Sequence, residues 1–182
     1  MQISRAHVSA RLPASFQLVA AMNPCPCGLG GTDRCSCGEA GLQRYARRVS
    51  GPFMDRFDLR LRVHPTPRSA LMDERPAEST AEVRERVSSA RCRAQARGAP
   101  NARLTAEHLR EASTLDDGAR RMLDTAIESG RLSGRGLVKV RRVALTLDDL
   151  RGGSGLLDGD VVAQALALRT ELDLASRRLV TS

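Results

Sequence analysis

From Ser79 onward the sequence opens one helix after another. Ser79 is followed three residues later by Glu82, the signature of a capping box in which side chain and backbone exchange hydrogen bonds at a helix start. Thr105, then Asp116 or Asp117, then Ser133, then Asp158 or Asp160 repeat the signal of a short oxygen-bearing side chain ahead of an apolar stripe. The stripes follow helical spacing. They run Val83, Val87, Ala90 and Ala94; Leu109 and Ala112; Met122, Leu123, Ala126 and Ile127; Leu137, Val140, Ala144 and Leu147; and Val161, Val162, Ala165 and Leu172. Gly98 with Pro100, and later Gly130, supply stops. Residues 79–175 are therefore predicted to form a small all-helical bundle.

The chain ahead of this bundle reads differently. Residues 16–22, Phe-Gln-Leu-Val-Ala-Ala-Met, are a nearly continuous apolar run, the pattern of a strand buried on both faces of a parallel sheet. Residues 24–38 are dense in Pro, Gly and Cys and are predicted as a loop. A helix over 39–49 carries Leu42, Tyr45 and Val49, and Ser50-Gly51-Pro52 breaks it. Residues 58–64 alternate Leu59, Leu61 and Val63 with Arg60 and Arg62, as a half-buried strand does. Residues 65–78, with Pro65, Pro67 and Pro76, read as a linker. The expected fold class is thus an α/β fragment over 1–64 followed by the helical domain. Two strands alone keep unpaired edges and do not stand in water, so a larger sheet is expected to complete them.

Aromatic residues are only 2% of the chain and Trp is absent, so Leu, Val and Ala must build the core, which favours helices. The net charge of +8 is carried almost wholly by arginine; Lys139 is the one lysine. Such a balance fits a polyanionic partner and equally fits a general Arg and Ala bias. No apolar run approaches the roughly 20 residues of a membrane span. Residues 1–32 lack Asp and Glu, as a transit peptide does, but they continue into the strand-like run and the cysteine cluster without a cleavage-type break. A soluble, cytosolic protein is expected.

Two cysteine pairs, Cys25-Pro-Cys27 and Cys35-Ser-Cys37, lie in the loop. Four thiolates gathered in one Gly/Pro loop suit the tetrahedral demand of a structural Zn²⁺, with no position left open for catalysis. The C-x-C spacing is tighter than the familiar C-x₂-C, and a metal-free loop with reduced or redox-active thiols is the alternative. Cys92, on a predicted helix, reads as a packing residue. No G-x-x-x-x-G-K-[ST] loop occurs, and Lys139 has no Gly-rich loop ahead of it, so these 182 residues do not build a phosphate-binding P-loop. Val143–Asp149 imitates a Walker B strand, yet its spacing fits a helix stripe better.

Three further stretches stand in order. Asn23 ends the apolar run in L-V-A-A-M-N-P-C-P-C-G, residues 50–59 read S-G-P-F-M-D-R-F-D-L, and residues 132–150 read L-S-G-R-G-L-V-K-V-R-R-V-A-L-T-L-D-D-L. With I-S-R-A at residues 3–6, they resemble the second half of magnesium-chelatase-like AAA+ proteins of the YifB or ComM type, from residue 3 to about 170. Leu137 replaces that family's usual aromatic, and Arg141 stands where an aliphatic residue is normal.

The resemblance implies roles. Asn23 matches the sensor-1 residue that orients the attacking water. Arg56 matches the arginine finger that acts in trans on a neighbouring subunit's ATP, and Arg135 the sensor-2 residue of the lid that meets the nucleotide phosphates. Residues 1–64 would be the rear of an αβα nucleotide-binding core and 79–175 its helical lid. The family forms hexameric rings on ATP with Mg²⁺, and its ComM branch resembles helicases that drive DNA branch migration in recombination. Its phosphate loop, Walker B acids and protease-like N-terminal domain would precede residue 1, so this chain alone is expected to be inactive. It would need complete AAA+ subunits or the missing N-terminal half as partner, with DNA as a further one. Read without the resemblance, Asn23-Pro24 is a common turn pair, Arg56 a surface ion-pair partner of Asp55 or Asp58, and Arg135 a solvated helix-end residue. Two other functions stay open: a zinc-dependent nucleic-acid-binding module without ATPase activity, and a chelatase subunit inserting Mg²⁺ into a porphyrin.

Overall fold

A computed structural model describes residues 2–5, 8–11, 13, 16–30, 32–64, 66–73 and 77–169. The predicted features at Ala6, Pro65, Pro76 and Leu172, and the end of the bundle at 175, lie outside the described residues. The chain divides between Arg48 and Val49 into two compact units.

The second unit holds the core. Its helices are α2 (Gly51–Met54), α3 (Arg68–Leu71), α4 (Thr80–Ala96), α5 (Ala106–Ala112), α6 (Asp117–Glu128), α7 (Gly134–Arg151) and α8 (Gly159–Ala167). The predicted caps form. Ser79 and Glu82 close a capping box at α4, and Thr105, Asp116, Ser133 and Asp158 each accept a backbone N–H in the first turn of α5, α6, α7 and α8. Gly98 and Gly130 adopt φ of 88° and 70°, the left-handed region that ends a helix.

Helix α7 is the central post, packed against α4, α5 and α8, while α6 packs on α8. Its Val140, Ala144 and Leu145 are fully buried and meet Leu109, Leu123, Leu157, Val161, Val162 and Ala165. These side chains are Leu, Val and Ala, as a nearly aromatic-free chain requires. A two-strand parallel ladder, β3 (Thr114–Leu115) with β4 (Leu156–Leu157), ties the α5–α6 connection to the α7–α8 connection. Gly155 makes the ladder possible: its φ is 94°, and a Cβ there would lie 2.6 Å from the Ala112 carbonyl oxygen. Its N–H donates to the buried Asp148 carboxylate at 2.8 Å.

Two stripe positions depart from expectation. Ile127 is 41% exposed, and on α4 only Ala90 is buried, with Val83 on the surface. The side-chain hydrogen bonds to α7 come from the far end of α4, from Arg93 and from Arg97 just past it, while its first turns are exposed.

The first unit carries an antiparallel hairpin, β1 (Gln2–Arg5) with β2 (Val8–Arg11), then the cysteine loop and α1 (Glu39–Ala46) with Leu42 buried. The strands expected at 16–22 and 58–64 do not form; both stretches lack helix and strand. Phe16 and Val19 are 77% and 83% exposed, and Val63 is 90% exposed. The reason is that an apolar run becomes a strand only through neighbours, and among the described residues no strand lies beside either stretch. The described chain is accordingly mostly helical, with two small two-stranded sheets. No described helix is long and apolar enough to cross a membrane.

Candidate metal centre and candidate nucleotide residues

The cysteine loop folds by local turns. The Gly28 N–H donates to the Cys25 carbonyl, with Gly28 at φ 78°; Thr32 and Cys35 donate to Leu29 and Thr32 in turn. This brings all four sulfurs within 4.8 Å of one another. Cys25 Sγ lies 3.3 Å from Cys27 Sγ and 3.8 Å from Cys35 Sγ, and Cys27 lies 3.7 Å from Cys35. A tetrahedron with Zn–S bonds near 2.3 Å has sulfur–sulfur edges of about 3.8 Å, so this donor set fits zinc. None of the five cysteines forms a disulfide.

The four sulfurs are not equivalent. A backbone hydrogen bond from Leu29, then thiol hydrogen bonds from Cys25 and Cys37, bring Cys27 down to about 6 from the ordinary 9.0. At Cys37 a backbone hydrogen bond from Cys27 favours the thiolate, but the neighbouring Cys27, Cys25 and Cys35 sulfurs and desolvation outweigh it and push the thiol up to about 11. One thiolate is thus ready at neutral pH, and a cation placed among the sulfurs would draw the remaining protons off.

Asn23 immediately precedes this loop and is exposed. Its carbonyl accepts the hydroxyl of Tyr45 on α1 at 2.9 Å.

In the second unit, residues 50–60 form a built turn. Ser50 caps the single turn α2, with Pro52 among its first residues, and Phe53 and Phe57 meet edge to face at 5.2 Å. Arg56 is exposed, and its Nη1 donates to the Pro52 carbonyl at 2.9 Å. Its backbone, by contrast, is gripped. Lys139 of α7, with its side chain only 11% exposed, donates to the carbonyls of Asp55 (3.1 Å) and Arg56 and pairs with Asp58 at 3.4 Å. Arg169, just beyond α8 and buried, donates to the carbonyls of Phe57 (2.6 Å) and Asp58 (3.3 Å) and pairs with Asp55 at 3.2 Å. The Arg60 N–H donates to the Leu168 carbonyl. Arg135 is exposed in the first turn of α7, one turn ahead of Lys139, so the two share a helix face.

Sequence reasoning singled out Lys139 only to exclude a P-loop and passed over Arg169. Neither gives a local signal, since their partners lie over eighty residues away. Lys139→Met is expected to release residues 55–60 from α7. Loss of hydrogen bonds from a charged donor costs about 1.5–3 kcal/mol. Hydrogen exchange at the Arg60 amide should accordingly run roughly ten to a hundred times faster, with the α6–α8 amides unchanged.

Two other sequence features prove structural. Arg141 Nη2 donates to the Leu109 and Ser113 carbonyls and to Ser113 Oγ, so the unusual arginine caps the C-terminal end of α5. The Walker-B-like stretch lies inside α7, as the helix reading expected, and its Asp149 is 1% exposed and accepts from Arg97 and Asn101.

Known proteins give the geometry its context. Residues 1–71 match the family model "Magnesium chelatase, subunit ChlI", and residues 77–169 match "Magnesium chelatase, subunit ChlI C-terminal". The chain is 35% identical over 179 residues to competence protein ComM of Haemophilus influenzae, covering 96% of this chain and 35% of ComM. It is 37% identical over 153 residues to YifB, an uncharacterized protein of Escherichia coli, covering 82% of this chain and 30% of YifB. An uncharacterized protein of Mycobacterium tuberculosis is 39% identical over 176 residues, covering 93% of this chain and 34% of its own length. The chain therefore spans about a third of the length of the curated relatives it matches. With both family models matched in tandem from end to end of its described residues, it belongs to the magnesium chelatase ChlI family.

Proposed function

We propose that this chain is the sensor-and-finger portion of a ring ATPase of ComM type that works on DNA in branch migration and recombination in the cytoplasm. ATP with Mg²⁺ is the substrate, and a P-loop on another stretch of polypeptide grips it. Arg56 reaches a neighbouring subunit's γ-phosphate, where a guanidinium offsets charge in the transition state. Arg135 meets the phosphates from the lid, and Asn23 orients the attacking water. The rear of an AAA+ core and its lid would be the parts present. The observation that carries this reading is the contrast at residue 56: Lys139 holds its carbonyl and buried Arg169 holds the residues on either side, while its own side chain is left exposed. A guanidinium that must reach outward to another subunit needs that combination.

Purified alone, the chain should not hydrolyse ATP. Mixed with a P-loop-bearing ComM subunit whose own finger arginine is changed to Ala, it should restore turnover. Turnover by the chain alone, or no restoration with demonstrable co-assembly, would end the proposal.

The sulfur geometry supports a second reading, a zinc-dependent nucleic-acid-binding module. Bound zinc would supply a structural cross-link between Cys25, Cys27, Cys35 and Cys37. Sub-micromolar DNA binding that requires zinc and no ATPase partner would favour this reading. Binding left intact by Cys25→Ser would count against it.

A further inference from the structure

Among the described residues, Asn23 is held only from its C-terminal side. Pro24 restricts it to extended backbone, and Cys25 directly after that is 1% exposed. The Gly28 turn folds back beneath its amide: a Cβ on Gly28 would stand 3.6 Å from Asn23 Nδ2. From beyond the loop, Tyr45 donates to the Asn23 carbonyl at 2.9 Å. On the N-terminal side, residues 16–22 have neither helix nor strand and are exposed. Every described tie on Asn23 therefore comes from the cysteine loop or from the helix that follows it.

That loop is folded by short local turns, which set its path without bonding its two cysteine pairs to each other. Between Cys25 and Cys37 the sulfurs meet one another through weak thiol hydrogen bonds. A tetrathiolate metal would replace these with bonds that close both ends of the loop at once, and binding free energy of that kind is folding free energy. Leu42 and Tyr45 share one side of α1, and Leu42 is 4% exposed, so α1 and its hydroxyl are carried by the same small unit.

We infer that metal occupancy of the cysteine loop, relayed through Tyr45 and the Gly28 turn, sets the position of Asn23. Tyr45 is then a positioning residue. Its bearing on hydrolysis rests on the proposed role of Asn23 at the nucleotide.

The composition supplies the readout. The chain has one Tyr, no Trp and two Asn, Asn23 and Asn101. Asn101 is buried in the other unit and bonded to Thr146 and Asp149, so it serves as an internal control. Zn²⁺ is titrated into the reduced full chain carrying ¹⁵N-asparagine, with Co²⁺ used in parallel to report thiolate coordination. The Asn23 side-chain amide pair and the Tyr45 emission should move together and saturate at one equivalent, with Asn101 still. Tyr45→Phe should take up the same equivalent while the Asn23 shift falls at least twofold. The inference is overturned if no metal binds, if metal binds and Asn23 does not move, if Asn101 moves equally, or if Tyr45→Phe leaves the shift whole. Failure of the sensor reading looks different: in an assembly where the missing P-loop half completes this chain's own nucleotide site, Asn23→Ala would leave ATP hydrolysis unchanged, while Asn23 in the parent chain still followed the metal.

Discussion

Arg56→Ala is expected to lower the ATP hydrolysis that this chain restores in a finger-deficient partner by on the order of 10³–10⁵-fold, the range measured when a phosphoryl-transfer arginine is supplied or withheld. The loss should fall on kcat and leave KM nearly level, because the guanidinium meets charge that develops only in the transition state. Stability should barely change. Arg56 is exposed, and its side-chain hydrogen bond goes to a carbonyl one turn back in its own segment, so the substitution removes no buried partner. A change within about 0.5 kcal/mol is expected for such a position. Arg56→Lys keeps the charge but replaces a planar fork by a point donor on a differently shaped stem, and most of the activity should still be lost. Lys139→Met offers the complementary case. It leaves Arg56 intact but frees its backbone, so turnover should drop less than with Arg56→Ala and the Arg60 amide should exchange faster. Equal turnover with wild-type and Arg56→Ala chains in the same assembly would remove the finger from the account.

The parts legible in the sequence are those set by physics within a few residues. A cap needs only a side-chain oxygen and an amide three positions later, so Ser79, Thr105, Asp116, Ser133 and Asp158 could each be read before any tertiary contact was known. The sulfur cluster was legible for the same reason, since four cysteines within thirteen residues of Gly/Pro loop are held close by chain length alone. The apolar runs at 16–22 and 58–64 failed as strands because pairing is a property of two segments, and periodicity in one says nothing about whether the other is beside it. Arg169 was missed on similar grounds: a basic residue near the end of a helix is ordinary until its partners, more than a hundred positions earlier, are located. Arg141 was noticed as an anomaly, but the three acceptors that explain it come from the end of a different helix.

Asp149→Ala is expected to be the costliest single change in the helical unit. The carboxylate is 1% exposed, and its Oδ2 accepts from Arg97 and from Asn101 Nδ2 at 2.7 Å. Asn101, itself 6% exposed, also donates to Thr146 Oγ1, so one acid organises the end of α4, the turn after it and the last turns of α7. Removing it leaves a largely buried guanidinium without its counter-charge and a buried amide short of an acceptor. Breaking a buried pair in this way costs about 3–5 kcal/mol. For a unit of this size that corresponds to a fall in Tm of more than roughly 10 °C, measurable by calorimetry or circular dichroism. Asp149→Asn should cost less. Oδ1 has no hydrogen-bond partner among the described residues, so the new Nδ2 can take that place and leave an oxygen toward Arg97 and Asn101. Arg97→Met alone should also destabilise, by leaving the buried carboxylate unpaired, but the double change Arg97→Met with Asp149→Leu should recover much of the loss, since an apolar pair of similar volume often replaces a buried ion pair at little cost. This ordering, Ala worst, Asn milder and the double change milder than the sum of its parts, is what a structural role demands. An acid that polarised water or held a metal would behave otherwise: Asp149→Asn would then abolish turnover in the mixed assembly while leaving the melting temperature where it was.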